Sequence, residues 1–344
     1  MSDGLEILPV RGIGDVTAGD DLAEMIMTAA PWLADGDVLV VTSKIVSKAE
    51  GRLVEVPADG PEREEARQRV LAGETARVVA RRGATTIVQT HHGFVMAAAG
   101  IDASNVDKTH LVLLPADPDG SARALRDDFL RRGLDVAVII SDTMGRAWRN
   151  GLTDVALGAA GIEALRDHRG EIDPYGNELS LTQMAVIDEL SAAAELVKGK
   201  RDRVPVAVVR GYPHGPGGGA GAAVLVREAA GDMFSLGTAE AHTRGLIAAA
   251  RLPATPSAPT PAPDQTVAPA AVNRALSTLD GLLTALLEMR TDGIRLTPAQ
   301  DGAAALLRTG TDAHRLRAAL AAEGITTTAV IDDEGVTLTF GAPA

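Results

Sequence analysis

The chain has 344 residues, 46% hydrophobic and 23% charged, a composition that supports a sizeable core and excludes a disordered protein. Asp and Glu total 46 against 33 Lys and Arg, so the net charge of -13 disfavours general binding to nucleic acid or to an anionic membrane. Aromatic residues, at 2%, leave few groups on which bases could stack. The absence of cysteine excludes disulfides, iron–sulfur clusters and thiolate zinc sites, so any metal must be held by oxygen or histidine.

Neither export nor membrane insertion is indicated. Residues 1–4 carry no basic region, and no long apolar stretch follows them. The apolar runs of the chain are short. Val136–Ile140 is a typical one, and it is far shorter than the ~20 residues that a membrane-spanning helix needs. We therefore expect a cytoplasmic protein without a membrane segment.

A proline-rich stretch predicts a linker at residues 251–270, between a domain at 1–250 and a smaller one at 271–344. Strand-like and helical runs alternate in the first domain, which predicts an α+β (mixed α/β) fold. The strand-like runs are residues 38–41, 86–88, 136–140 and 204–209, and the helical runs are 22–32, 62–71, 121–132 and 182–198. The smaller domain is predicted as α+β, with helices at 272–289, 303–308 and 312–323 and a hairpin at 326–332 and 336–340. No internal repeat is evident.

Hydroxyls and lysines follow the first strong strand. Residues 38–41 lead directly into Ser43 and Lys44, with Lys48 one helical turn later. Ligands of α/β folds bind at the carboxyl ends of strands, so these lysines are candidates for holding phosphate. Taken alone, a segment of this kind more often carries solvated loop lysines.

A second cluster of oxygen ligands follows the small-residue run at 93–100, with Asp102 and Asn105 as its main members. A hard cation such as Mg²⁺ or Mn²⁺ binds one or two protein carboxylates together with substrate phosphates. The alternative is an ordinary turn or helix cap.

The third cluster gives the strongest signal. The predicted buried strand Val136–Ile140 leads into Asp142 and Thr143, and then into Arg146 and Arg149. A carboxylate, a hydroxyl and two arginines in this order are typical of a metal–phosphate site with charge-stabilising donors. Helix capping by Asp142 or Thr143 alone would not explain the arginines.

A glycine-rich loop at 211–221 has backbone amides that could cradle phosphate, above all at Gly217, Gly218 and Gly219. It fits the loose pattern G-x-G-x-x-[GA], but no strand with an acidic residue follows about 20 residues later. No Walker A sequence occurs, so a nucleotide would not be held by a standard P-loop.

These stretches together resemble the coenzyme F420-0:L-glutamate ligase family, most closely the N-terminal ligase part of the bifunctional actinobacterial enzymes. The resemblance covers roughly residues 5 to 245. The motifs that carry it are E-I-L-P-V at 6–10, V-T-S-K-I-V-S-K-A-E-G-R at 41–52, A-G-I-D-A-S-N-V at 99–106, S-D-T-M-G-R-A-W-R-N-G at 141–151, D-P-Y-G-N-E-L at 173–179 and L-G-T-A-E-A at 236–241.

The resemblance implies a GTP-dependent amide ligase of mixed α+β fold that adds L-glutamate to F420-0, then adds γ-linked glutamates, and works as a homodimer. It also implies a divalent cation, Mg²⁺ or Mn²⁺, at Asp102, Asp142 and Thr143. The positions that it assigns to GTP are Ile13, Gly14, Asp15, Val16, Ser43, Lys44, Lys48, Asn105, Gly217, Gly218 and Gly219. We add Arg146 and Arg149, with Lys48, as candidate catalytic residues that stabilise charge.

The sequence departs from the family pattern in two places. Relatives commonly carry an acidic residue in the loop that is 211–221 here, and this loop has none, so support for a second metal is weakened. The actinobacterial relatives continue into a flavin-binding domain of the nitroreductase type, for which residues 271–344 are too few. We therefore expect no FMN.

Two other functions remain open. One is a ligase of altered substrate on the same scaffold, since the glycine-rich loop differs. The other is a nucleotide-binding regulator with residues 271–344 as an interaction module. The presence of both Asp102 and Asp142 favours catalysis, because a protein that only binds nucleotide would not need two carboxylates.

Overall fold

The computed structural model describes residues 4–104, 106–199, 202–213, 220–252 and 268–341. The chain divides into two compact units, Met1–Glu240 (unit 1) and Ala241–Ala344 (unit 2). Both contain helices and sheets, which confirms the predicted mixed α/β class. Within the described ranges, no helix is both long and apolar enough to cross a bilayer.

Unit 1 is built around one central sheet with helices on both faces. Its strands are β1 (Glu6–Val10), β2 (Val38–Thr42), β3 (Leu53–Glu55), β4 (Thr75–Arg82), β5 (Thr85–Thr90), β6 (Val95–Ala97), β7 (His110–Val112), β8 (Ala137–Arg146), β9 (Arg149–Ala160), β10 (Arg166–Asp167), β11 (Gln183–Met184) and β12 (Val206–Arg210). Its helices are α1 (Leu22–Ala29), α2 (Ser43–Ala49), α3 (Gly60–Gly73), α4 (Pro118–Arg131) and α5 (Val186–Lys198), and α6 (Thr238–Ala250) spans the boundary between the units.

The central sheet has the order β1-β12-β2-β8-β9. The central parts of its inner strands, Val38–Val41, Ala137–Ile140 and Val206–Val209, are apolar without interruption because both faces are covered. Leu39 and Val41 pack with α1 and α4 on one face, while Val38 and Val40 pack with α5 on the other. Smaller sheets, β3-β7, β4-β5-β6 and β10-β11, lie outside this core.

The strand orientations place several chain segments at one edge of this sheet. β2 and β8 are parallel, and β1 points the same way because both β1 and β2 are antiparallel to β12. Val10, Val41 and Ile140 are therefore in register, and the residues that follow them leave the sheet at the same edge. We call it the carboxyl edge.

Strand β8 does not end where the sequence suggested. The apolar pattern predicts an end at Ile140, but the strand continues to Arg146 and pairs with β9 as a hairpin. At the junction of Ile140 and Ser141, β9 carries one extra residue, Leu157. Ala156 N then donates to Asp188 Oδ1 at 2.8 Å. Such bulges bend a strand and redirect its side chains, here just before the third cluster.

Unit 2 consists of two helix–hairpin halves. They are α7 (Pro269–Thr278) with β13 (Leu286–Arg290) and β14 (Gly293–Thr297), and α8 (Ala303–Ala322) with β15 (Thr327–Asp332) and β16 (Gly335–Phe340). The antiparallel sheet has the order β13-β14-β16-β15, so β14 and β16 join the halves. Residues 293–297 (G-I-R-L-T) match 335–339 (G-V-T-L-T). The halves thus form a repeat that the sequence reading missed.

Two helix boundaries predicted from the sequence are wrong. The helix predicted at 272–289 ends at Thr278, and Leu286–Arg290 is an edge strand. Leu279 caps the helix, Gly281 turns the chain two residues later with a φ of +70°, and β14 then supplies a pairing partner for the strand. The helix predicted at 182–198 begins only at Val186, because Gln183–Met184 pairs with β10.

Candidate active site at the carboxyl edge

Strand pairing brings the first and third clusters together. Thr42 is the register partner of Ser141 across the parallel pair β2–β8. Ser43 and Lys44 therefore leave the sheet beside Asp142. Helix α2 starts at Ser43 with no intervening loop, so Lys48 lies one turn above Lys44.

The second cluster is held to the first by an ion pair. Lys44 Nζ lies 2.6 Å from Asp102 Oδ2 and also donates to Ser104 Oγ at 2.8 Å. Asp102 is positioned by a two-way backbone bridge to Val112 and accepts a 2.6 Å hydrogen bond from Ser104 N. Burial alone would raise the pKa of Asp102, but the hydrogen bonds from Lys44 and Ser104 and the charge of Lys44 lower it. Asp102 is therefore a carboxylate.

The third cluster rests on a buried polar network. Thr143 Oγ1 donates to Asp154 Oδ1 at 2.7 Å, and Ser141 Oγ donates to Asp154 Oδ2 at 3.1 Å. Lys198 Nζ lies 2.9 Å from both Asp154 Oδ2 and Ser141 Oγ. Lys198 is 2% exposed and Asp154 3%. Burial opposes ionisation of Asp154, but the Lys198 charge and the three hydrogen bonds together lower its pKa. Asp142 Oδ1 accepts from Thr143 N at 2.7 Å.

Sequence reasoning missed Asp154 and Lys198. Lys198 is the last residue of an amphipathic helix, and a lysine at this position ordinarily interacts favourably with the negative end of the helix dipole. The sequence signal available for Asp154 was its position directly before the apolar run that starts at Val155. Only the pairing of β8 with β9 shows that it faces Thr143.

The segment predicted to contact GTP at Ile13, Gly14, Asp15 and Val16 lies at the same edge, directly after β1. Val16 is buried in the core cluster that contains Ile45 of helix α2, and Gly14 and Asp15 are exposed. The backbone of Gly19 donates to Ala49 O at 2.8 Å, which ties this segment to the end of α2.

Arg146 and Arg149 are not beside Asp142. They pair with each other across the tip of the β8–β9 hairpin and are exposed. Arg146 is four residues beyond Asp142, which corresponds to roughly 13 Å along a strand. Trp148, in the turn between them, has a φ of +57° and packs edge-on to Phe234 at 4.4 Å between ring centroids.

The glycine-rich loop leaves the sheet at the opposite edge. Strand β12 is antiparallel to β2, so Tyr212 emerges near the start of β2 rather than near Lys44. Gly217, Gly218, Gly219 and Asn105 lie outside the described residues.

The far end of the glycine-rich loop is anchored to helix α4. Asp119 Oδ1 accepts from Ala222 N at 2.7 Å and from Ala159 N at 2.9 Å, and its Oδ2 accepts from Ala223 N at 3.2 Å. A Cβ on Gly221 would lie 2.3 Å from the Asp119 carboxylate, so this close approach requires glycine. Sequence reasoning did not single out Asp119.

The donor set at the carboxyl edge suits a hard cation that brings other ligands with it. Within the described part of the chain, no three His, Asp or Glu residues are grouped to hold a metal by themselves. Mg²⁺ commonly binds one or two carboxylates and completes its shell with substrate phosphates and water. Asp102, Asp142 and the Thr143 hydroxyl are ligands of this type, although Asp102 is paired with Lys44 here.

Comparison with known proteins gives one consistent result. The model of the family described as "F420-0:Gamma-glutamyl ligase" matches residues 12–211. The coenzyme F420:L-glutamate ligase of Methanothermobacter thermautotrophicus is 44% identical over 230 residues, which cover 62% of this chain and 91% of the relative. The enzyme of the same name from Archaeoglobus fulgidus is 40% identical over 219 residues, covering 60% and 88%. That from Methanopyrus kandleri is 42% identical over 220 residues, covering 60% and 87%.

Proposed function

The chain belongs to the F420-0:gamma-glutamyl ligase family and is a ligase of coenzyme F420 biosynthesis, and on this premise we propose that it is a GTP-dependent enzyme. It joins the α-amino group of L-glutamate to the terminal carboxylate of F420-0 and then extends the product with γ-linked glutamates. GTP is converted to GDP and phosphate. The observation that carries the proposal is the convergence of Lys44, Asp102, Asp142 and Thr143 at the carboxyl edge.

Amide formation from a carboxylate requires activation, because oxide is a very poor leaving group. We infer that the F420-0 carboxylate attacks the γ-phosphorus of GTP, which forms an acyl phosphate and releases GDP. The glutamate amine then attacks the acyl carbon, loses a proton and expels phosphate. Lys44 and Lys48 lie where they would neutralise phosphate oxygens.

Mg²⁺ or Mn²⁺, when bound, would supply positive charge that stabilises the transferring phosphoryl group. Asp102, Asp142 and Thr143 are the residues that would hold it. Since Lys44 pairs with Asp102, nucleotide phosphates would compete with the Asp102 carboxylate for the same ammonium group. Binding of GTP with its cation would move Lys44 from Asp102 to phosphate and release the carboxylate for the cation.

We also propose a homodimer. The excursion from Arg166 to Met184, whose strands β10 and β11 pair with each other in a separate two-stranded sheet, exposes several large apolar side chains, among them Tyr175 at 91% and Leu181 at 89%. Asp173 fixes the turn in this excursion by accepting from Tyr175 N and Asn177 N. Large apolar residues exposed together in this way are typical of a surface that a partner covers.

The test is a mass-spectrometric assay of the full chain with F420-0, L-glutamate, GTP and Mg²⁺ or Mn²⁺. We expect products heavier by successive glutamate masses, formed only with GTP. The Asp142→Ala variant should give less than about 1% of this product, since it lacks a metal carboxylate. Normal turnover by folded Asp142→Ala would refute the site assignment.

The same assay distinguishes the two alternative functions. Product with another acyl donor, but not with F420-0, would support a ligase of altered substrate. GTP binding without any product would support a nucleotide-binding regulator.

A further inference from the structure

The buried network beneath the third cluster contains two charged residues to which the proposed reaction assigns no step. We propose that Asp154, with its charge balanced by Lys198, is a positioning residue that fixes the Thr143 hydroxyl so that its oxygen lone pairs face the cation. This inference rests on the proposed function, since it assumes that Thr143 is a cation ligand.

The direction of the Thr143–Asp154 hydrogen bond follows from chemistry. An ionised carboxylate can only accept, so at 2.7 Å the Thr143 hydroxyl must be the donor. A threonine hydroxyl has one hydrogen, and here that hydrogen is directed inward at Asp154 Oδ1. The oxygen therefore presents lone pairs, and not its hydrogen, to a cation at the carboxyl edge. Without this acceptor, the hydroxyl could rotate and direct its hydrogen at the cation.

Lys198 keeps Asp154 in the accepting form. The two side chains are almost fully buried, and Lys198 Nζ is 2.9 Å from Asp154 Oδ2. Ser141 completes the arrangement, because its hydroxyl accepts from Lys198 and donates to Asp154. Both Asp154 oxygens thus accept hydrogen bonds, and the lysine compensates a carboxylate that burial would otherwise neutralise.

The pair is placed for a role in the site rather than in general packing. Asp154 is the direct register partner of Thr143 across the β8–β9 ladder, and Asp142 precedes Thr143. A buried ion pair is often replaceable by apolar residues without loss of stability. Outer residues that orient metal ligands, in contrast, commonly account for about 10- to 100-fold in metal affinity.

Two double variants separate the acceptor from the charges. Asp154→Asn/Lys198→Met removes the ion pair but keeps a carbonyl oxygen that can accept from Thr143, while its amide can donate to Ser141. Asp154→Leu/Lys198→Met removes the ion pair and the acceptor together. If the leucine variant does not fold, Asp154→Ser/Lys198→Met replaces it, because a serine is too short to reach Thr143.

The readout is binding rather than turnover: equilibrium dialysis of the full chain with β,γ-imido-GTP, once with Mn²⁺ and once with EDTA. We expect the Asn/Met variant to keep a Mn²⁺-dependent gain in affinity close to that of the wild type. The Leu/Met variant should lose about tenfold of that gain, with unchanged binding in EDTA. Thr143→Val should lose a similar amount, and adding it to the Leu/Met variant should cost nothing further.

The outcomes are distinct. Wild-type Mn²⁺-dependent affinity in a folded Leu/Met variant would overturn the proposal, as would equal losses in the Asn/Met and Leu/Met variants, which would assign the effect to charge. Additive losses for Thr143→Val and the Leu/Met variant would also overturn it. If Thr143→Val and Asp142→Ala both bind the Mn²⁺ nucleotide normally, the cation is held elsewhere and the proposed function of this edge fails instead.

Discussion

Lys44 and Asp102, 58 positions apart in the chain, form a 2.6 Å ion pair at the carboxyl edge of the central sheet. Each is a candidate ligand of a different part of the same substrate complex, the lysine for phosphate and the carboxylate for the cation. Nucleotide and cation would therefore compete with this ion pair for its two members. This relationship leads to a prediction in which one substitution affects the two roles differently.

We expect Lys44→Met to weaken GTP binding in EDTA by about tenfold, because a phosphate contact from an ammonium group is lost. The same substitution should leave the gain in GTP affinity that Mn²⁺ provides unchanged or larger, since Asp102 is released from its partner. Isothermal titration calorimetry with GTP, once in EDTA and once in Mn²⁺, would measure both affinities.

The matched control for this prediction is Lys108→Met, which removes an exposed lysine of the segment that follows Asp102. It should alter neither affinity. Loss of the Mn²⁺-dependent gain in Lys44→Met, with GTP binding in EDTA intact, would contradict the assignment of the two roles.

Much of the fold could be predicted from local pattern. Uninterrupted apolar runs such as Val38–Val41 predicted strands that are covered on both faces. The structure confirms this prediction for the central strands of the sheet. The failures lie where local pattern is ambiguous. Leu286–Arg290 has a pattern compatible with helix or strand, and the segment forms a strand because it pairs with β14. Ser141–Arg146 is polar enough to suggest a loop, but β9 supplies a ladder that keeps it extended.

Of the candidate site, the sequence predicted the residues proposed to contact phosphate or cation, but not the buried pair beneath them. Lys44, Asp102 and Thr143 follow runs of apolar or small residues, so their types and positions were informative. Asp154 and Lys198 belong to the site only because they contact residues distant in the chain: Asp154 contacts Thr143, 11 positions away, and Lys198 contacts Ser141, 57 positions away. Such contacts depend on strand pairing and helix packing, which no short motif encodes.

The anchor at Asp119 gives a second prediction. Asp119→Asn should lower the affinity for GTP and destabilise the protein by about 1 kcal/mol, because its NH₂ group cannot accept from Ala223 N as the second carboxylate oxygen does. Hydrogen exchange should rise at residues 220–226, which comprise the end of the glycine-rich loop and the short helical segment that follows it. Asp117→Asn is the control, because asparagine caps the same helix equally well. Equal exchange in both variants would show that Asp119 does not hold the loop.

The proposed dimer gives a third prediction. Leu181→Glu should shift the mass measured by light scattering from dimer to monomer at micromolar concentration, because it places a charge in an apolar interface. Leu196→Glu changes a leucine of similar exposure, 84%, on helix α5 and should leave the dimer intact. The reverse result would place the interface on α5, and a monomeric wild-type chain would exclude the dimer altogether.

The last prediction concerns unit 2 and its dependence on pH. Arg295 donates to both oxygens of Asp332 at 2.7 Å, and this pairing, with a hydrogen bond from Glu334 N, lowers the pKa of Asp332 from 3.8 to about 2. Since the pKa is lower in the folded chain than in the unfolded one, the interaction contributes its full stability above pH 4. That contribution is lost as the pH falls from about 4 through about 2.

Asp332→Asn should therefore reduce the protection of unit 2 amides against hydrogen exchange by about threefold at pH 7, the scale of an ion pair near the surface. The difference between variant and wild type should shrink as the pH falls through that range, because protonation removes the same interaction from the wild type. Comparing the two chains at each pH cancels the pH dependence of exchange itself. Asp333→Asn, which changes the exposed neighbouring residue, should match the wild type throughout. A difference that stays constant down to pH 2 would mean that the shape of the Asp332 side chain, and not its charge, holds Arg295.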